Sequence, residues 1–320
     1  MDLSDVNNQF AINALKEIGA SNVGQNIVFA PLSIITALSM VFLGARGNTA
    51  AQMSKTLHFS DNKKVRSSST NLFHELVENE DDYVLLNVNK LFGEKTFQFL
   101  PTFLDDTKNL YNAGLEQLDF LSDPETSRKY INDWITQQTR GKIEQLLPDQ
   151  SISTTTKLII ANTLYFAANW TKPFNEMKTS KAPFTKLSVK AMSVEEVNKL
   201  MDSSEMKMMN VLVYLPKFRI EKSFSMKRIL SSLGISDAFS QTKADFSGMT
   251  KQSDMFVSEV YHQTVLELNE KGTEAASSTA SVMSVRSFPG EQVKCDHPFY
   301  FFIKHKKSNS IILCGILNDP

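Results

Sequence analysis

From Ile27 to Ala45 the chain runs nineteen residues without a charge. Such a stretch either crosses a membrane, which takes about 20 consecutive apolar residues, or lies at the centre of a large core. Pro31 interrupts the run early, and Asn26, Ser33, Thr36 and Ser39 dilute it. Proline suits the first turn of a helix. The pattern therefore predicts a short strand, Ile27 to Phe29, followed by a buried helix from Pro31 to Leu43 that Gly44 stops. That favours a soluble core helix over a membrane span.

Composition supplies the core to bury it in. Of 320 residues, 42% are hydrophobic and 22% charged, which excludes disorder by composition. Lys and Arg number 34 against 35 Asp and Glu, so the basic excess of a nucleic-acid binder is missing. Two cysteines, Cys295 and Cys314, are too few for a disulfide framework and fit a reducing compartment. They read either as a pair or as buried thiols in neighbouring strands. The start, Met1-Asp2-Leu3-Ser4-Asp5, has neither the basic nor the apolar region of a cleaved leader. The expectation is a cytoplasmic protein, with release by a non-classical route left open.

Helical spacing places Val6, Phe10, Ala14, Leu15 and Ile18 on one stripe closed by Gly19, and a second amphipathic piece runs from Asn48 to Leu57. Val84 to Phe92 reads as a strand, Phe103 to Tyr111 as a helix, and Asp123-Pro124 opens a longer helix that runs out near Gly141. Lys157 to Phe166 is apolar almost throughout and predicts a central strand buried on both faces. Further strands are predicted at Val211 to Leu215 and Phe256 to Leu268, with a helix at Phe224 to Leu233 between them. Phe299 to Ile303 and Ser310 to Ile316 make a hairpin around the basic turn Lys304 to Asn309. Helices gather early and strands late, without a βαβ rhythm, which argues for one α+β domain over residues 1–320 with largely antiparallel sheets.

Catalytic patterns are missing. There is no nucleophile elbow, no phosphate-cradling glycine loop and no H-E-x-x-H. His58, His74, His262, His297 and His305 are scattered without ligand spacing. No metal or cofactor is implied. The segment from Gly272 to Gly290 has no ordinary structural role: small residues fill its first ten positions, then Val282, Met283 and Val285 lead to a lone Arg286. A linker would separate domains, yet only thirty residues follow Gly290. The segment reads as an exposed loop that a protease can enter.

These residues carry a family resemblance. Glu270-Lys271-Gly272-Thr273-Glu274-Ala275-Ala276 resembles the proximal hinge of the reactive-centre loop of serpins, and the hinge continues through Ser277, Ser278 and Thr279. Val293-x-Cys295-Asp296-His297-Pro298-Phe299 and the residues to Ile303 resemble the signature that follows that loop. Asn26 to Ile34, Gly44 to Thr49 and Asn162 to Trp170 are similar to other segments of the family, and the expected lack of a cleaved leader makes the chain resemble the intracellular, ovalbumin-like branch.

The resemblance implies a serine protease inhibitor, not an enzyme, that works as a suicide substrate. A protease cuts the loop, and the cut loop inserts as a new strand into the main sheet before the acyl-enzyme is hydrolysed. Family spacing from Gly272 puts the scissile bond between Arg286 and Ser287, which implies a trypsin-like partner. Thr273, Ala275, Ser277 and Thr279 would face the sheet interior, and each is small enough to enter it. From Thr273 to Val285 the loop extends about 43 Å, a full-length strand. Ser33, Asn162 and His262 fall at the family's shutter beneath the sheet, where Ala30 replaces the usual serine. Trp170, Lys217 and Glu270 fall at the breach, where the loop enters. The chain is expected to be a monomer with a tendency to polymerise.

One interval departs from the family. Between Phe184 and Val211 a complete serpin carries strands of two sheets and a helix. Here residues 186–210 offer a single helical stripe of Val194, Val197, Leu200 and Met201 behind a Ser193-x-x-Glu196 capping box. The expectation is that the Pro31–Leu43 helix and the C-terminal hairpin lose a covering layer, leaving exposed apolar area. The alternative function is then a non-inhibitory serpin product acting as an interaction protein.

Overall fold

The computed structural model describes residues 3–59, 83–111, 114–186, 194–201, 209–270 and 291–320. Helices are α1 (Leu3–Ser21), α2 (Pro31–Phe42), α3 (Gly47–Thr56), α4 (Pro101–Tyr111), α5 (Pro124–Gln138), α6 (Val194–Met201) and α7 (Met226–Ser232). Strands are β1 (Ile27–Phe29), β2 (Tyr83–Glu94), β3 (Leu115–Leu118), β4 (Leu158–Ala168), β5 (Val211–Tyr214), β6 (Phe218–Ser225), β7 (Val257–Leu268), β8 (Glu291–Lys294), β9 (Phe299–His305) and β10 (Ser310–Leu317). They form a five-stranded sheet in the order β3-β2-β4-β7-β6, a three-stranded sheet β1-β10-β9 and a two-stranded sheet β5-β8. The α+β class stands. The sheets are more mixed than the sequence pattern suggests, because β2–β3, β4–β7 and β5–β8 pair in parallel.

β4 is central because it can be buried on both faces. Ile159, Ala161 and Tyr165 pack with Ile131 and Ile135 of α5, while Leu158 and Ile160 point to the cluster around α1 and α2. α5 begins where Asp123 accepts a hydrogen bond from the Thr126 N–H at 3.2 Å, with Pro124 in its first turn. β6 and β7 share a third cluster with the small sheet, in which Leu164, Phe218, Ile220 and Leu266 meet Val28, Leu313 and Leu317.

α2 threads this interior, and all twelve of its residues are buried. Thr36 and Ser39 return their hydroxyls to the Leu32 and Ile35 carbonyls at 2.9 and 2.7 Å, which satisfies them inside the helix. Ser33 alone sends its hydroxyl to another element.

Several expectations need correction. α2 keeps its cover, since the main sheet and the small sheet enclose it; the exposure falls on β9, half-exposed at every residue, while β10 is wholly buried. In α6 Val197 is buried but Leu200 is 64% exposed, so the stripe does not all face inward, and its Ser193 cap lies outside the described residues. α1 runs past Gly19 to Ser21. Phe224 and Ser225 belong to β6, not to the helix that follows. β3, β6 and β8 are additional to the expected strands. Both cysteines are free: Cys314 is buried in β10, whereas Cys295 is half-buried just beyond β8, in a different sheet.

Candidate functional site

Beneath the main sheet one row of side chains crosses three strands. Antiparallel pairing sets Asn89 of β2 opposite Asn162 of β4, and parallel pairing sets Asn162 opposite His262 of β7. Asn162 and His262 reach the N-terminal end of α2, and Ser33, Asn162 and His262 are fully buried.

The hydrogen bonds define every proton in this row. The Ala30 N–H donates to His262 Nε2 at 3.0 Å, so that nitrogen carries no proton. Thr264 adds its hydroxyl to the same atom at 2.8 Å. His262 Nδ1–H therefore donates to Asn162 Oδ1. Asn162 Nδ2 donates to Ser33 Oγ at 2.5 Å and to Asn89 Oδ1. Ser33 in turn donates to Asn87 Oδ1 at 2.5 Å, which Asn89 Nδ2 also approaches at 3.3 Å. Burial lowers the His262 pKa to about 3, so the ring is neutral at any physiological pH. The backbone amide at position 30 makes its bond whatever side chain stands there, so Ala30 still serves the cluster.

The structure thus brings Ser33, Asn162 and His262 together as expected and adds Asn87, Asn89 and Thr264. The signal for the added asparagines was present. Two Asn two residues apart lie on one face of a strand, and asparagine is poorly suited to strands unless its amide has a partner.

At one end of the same sheet, Trp170 follows β4, Glu270 follows β7 and Lys217 precedes β6, whose antiparallel register sets Phe218 beside Leu268. Trp170 Nε1 donates to the Asn269 carbonyl at 2.9 Å, and the Trp170 ring meets Phe174 edge-on at 5.5 Å. Phe174 N–H donates to the Glu270 carbonyl at 2.8 Å. The Glu270 carboxylate accepts from Thr179 Oγ1 at 2.9 Å and pairs with Lys217 Nζ at 3.2 Å. Its own backbone N–H, then the Thr179 hydroxyl and the Lys217 ammonium, hold its pKa below the usual carboxylate range. All three expected residues therefore meet. The hinge positions Gly272, Thr273, Glu274, Ala275, Ala276, Ser277, Ser278 and Thr279, and the pair Arg286 and Ser287, lie outside the described residues.

Nothing in these clusters is arranged to activate a nucleophile, and no group of metal-ligating side chains occurs among the described residues. Nor is any helix among them long and apolar enough to cross a membrane. What the site can do is mechanical: it ties three strands to a buried helix at the parallel β4–β7 junction.

The family model described as serpin (serine protease inhibitor) matches residues 5–195 and 186–320. The chain belongs to the serpin family. Serpin B10 of Sorex araneus is 34% identical over 389 aligned positions covering 98% of each chain, and Serpin B6 of Bos taurus is 35% identical over 376 positions covering 99% of each. The fold overlays uncleaved ovalbumin with a TM-score of 0.90 across the whole of both chains, at 24% identity. The serpin therefore sits in the ovalbumin-like, Serpin B branch, a family of protease inhibitors and not of enzymes. Its alignments span more positions than its 320 residues, and the family match divides at 186–195, so the relatives carry sequence that this serpin lacks.

Proposed function

We propose that this serpin is a suicide-substrate inhibitor of trypsin-like serine proteases, acting from the cytoplasm. It works as one domain, with a reactive-centre loop at about residues 272–290 and a shortened region at about 186–210. The observation that carries the reading is the β4–β7 junction. It is a parallel pair inside a five-stranded sheet, and the loop sequence begins directly after β7. A segment turning back from the end of β7 runs antiparallel to β7 and, because β4 is parallel to β7, antiparallel to β4 as well. It can therefore bond to both neighbours with the favoured antiparallel geometry.

In the reaction, the protease serine oxygen attacks the Arg286 carbonyl carbon. The Arg286–Ser287 amide bond breaks, Ser287 leaves as a free amine with the proton relayed by the protease histidine, and an ester joins Arg286 to the enzyme. Loop insertion then displaces the tethered enzyme before water reaches the ester. In this reading Ser33, Asn162 and His262 form the shutter that holds β4 against β7. Trp170, Lys217 and Glu270 form the breach through which Thr273 to Thr279 enter first.

The test is to mix the protein with trypsin and separate the products on a denaturing gel. A covalent adduct, together with a released fragment whose sequence starts at Ser287, is expected, and Arg286→Ala should slow adduct formation by roughly a hundredfold or more. Clean cleavage without adduct would refute inhibition and leave the interaction-protein alternative, which the shortened interval favours.

A further inference from the structure

β9 is the open side of the three-stranded sheet. β10 occupies one of its edges, and no described residue pairs with the other. The run Phe299-Tyr300-Phe301-Phe302-Ile303 is half-exposed throughout. Phe299, Phe301 and Ile303 lean on the cluster that contains Phe218 and Leu313, while Tyr300 and Phe302 lean on the cluster around α1 and α2. The strand is therefore held in place on both faces while, among the described residues, its outer hydrogen-bonding edge has no partner strand.

Exposed edges are ordinarily guarded by a lysine or proline within the strand, or by a bulge. Here Pro298 precedes the strand, its one lysine, Lys304, stands only at its C-terminal end beyond the aromatic run, and the irregularity of the hairpin, between Ile311 and Leu313, lies on β10. Five consecutive bulky residues carry no guard.

We propose that this edge is a self-association site, filled by β9 of a second copy in an antiparallel, two-fold pair. The sequence complements itself in that arrangement. With Phe302 on the axis, Phe301 stands opposite Ile303, Tyr300 opposite Lys304, and Phe299 opposite His305. No like charges meet, and Lys304 lands beside a tyrosine ring, a contact that favours a cation. A net charge of −1 leaves two copies without long-range repulsion. The pairing closes on itself, giving a six-stranded sheet across a dimer in place of an open fibre.

The experiment is sedimentation equilibrium of the full chain across the micromolar range, with amide exchange read at 299–303 and no protease present. The expected result is a twofold rise in mass, with exchange at 299–303 slowing as concentration rises. In a Cys295→Ser background, which removes the half-buried native thiol, Phe302→Cys should form a disulfide-linked dimer. Lys306→Cys, in the turn beyond the strand, should not. A mass of one chain at every concentration overturns the proposal. So does exchange at 299–303 that ignores concentration, or a dimer that cross-links at 306 and not at 302. Should Phe302→Cys fail to fold, the mass and exchange of the unsubstituted chain decide the matter.

Discussion

The β4–β7 junction and the outer edge of β9 are two places where an extended segment could join a sheet of this serpin, and they are guarded in opposite ways. The junction is paired without interruption from Ile159 and Glu259 to Phe166 and Leu266, with the Asn162–His262 bond directly under it. Entry there breaks existing bonds, and each buried polar group left unpaired costs about 1–3 kcal/mol. Among the described residues, the outer β9 edge has no ladder bonds to break. Addition at the edge is governed by concentration, whereas addition at the junction needs a driving force already present in the folded chain. On the two proposals made above, this serpin has one strand-acceptor under its own control and one under the control of its abundance.

The largest test of this contrast is Thr273→Arg. An arginine entering the closed sheet is an uncompensated burial of several kcal/mol. We expect adduct with trypsin to vanish while cleavage at Arg286 continues; equal adduct yield from both chains would show that the junction is not the acceptor. The β9 edge should be untouched by this change. Next in size, Asn162→Ala strips partners from His262 Nδ1, Ser33 and Asn89 together and should lower stability by about 2–4 kcal/mol, read from the urea midpoint.

Acid acts on the same row. The folded-state pKa of His262, about 3, lies below the ordinary 6.5, so between those values the unfolded chain holds a proton that the folded chain does not. Its contribution is complete above about pH 6.5 and declines as pH falls toward 3. We expect about 2 kcal/mol to be lost from this group between pH 6.5 and 5, at roughly 1.4 kcal/mol per pH unit. A urea midpoint independent of pH across that window would show that the ring is not held neutral. Smallest is Lys217→Ala. Its ammonium is largely exposed, so loss of the Glu270 pair should change stability by less than about 1 kcal/mol. A larger shift in melting temperature would mean that the strand ends are clamped more firmly than an exposed ion pair allows.

Sequence reading succeeded where one physical requirement dominated. An uncharged run with Pro31 at its start has to be a buried helix, and β4, apolar on successive residues, has to be central. It failed where two patterns overlapped. β6 alternates cleanly from Phe218 to Glu221, but Phe224 at its end also suits the helix that follows. The site was legible through resemblance for Ser33, Asn162, His262, Trp170, Lys217 and Glu270, yet Asn87, Asn89 and Thr264 depend on strand register, which no local pattern states. The fate of α2 was misjudged for a related reason. Its cover comes from β4 and β10, which are distant in sequence, and the exposure falls on β9 instead.

Because the Ala30 amide fixes which nitrogen of His262 is bare, the whole row has a polarity. From His262 onward the donors point from β7 through β4 toward α2 and β2. Separating β4 from β7 cuts this chain between His262 and Asn162, stranding an N–H on one side and a carbonyl on the other. A strand that settles between them must offer an acceptor toward β7 and a donor toward β4 at that level. An apolar side chain there satisfies neither, so the row acts as a reading frame, accepting an incoming strand in one register and penalising its neighbours.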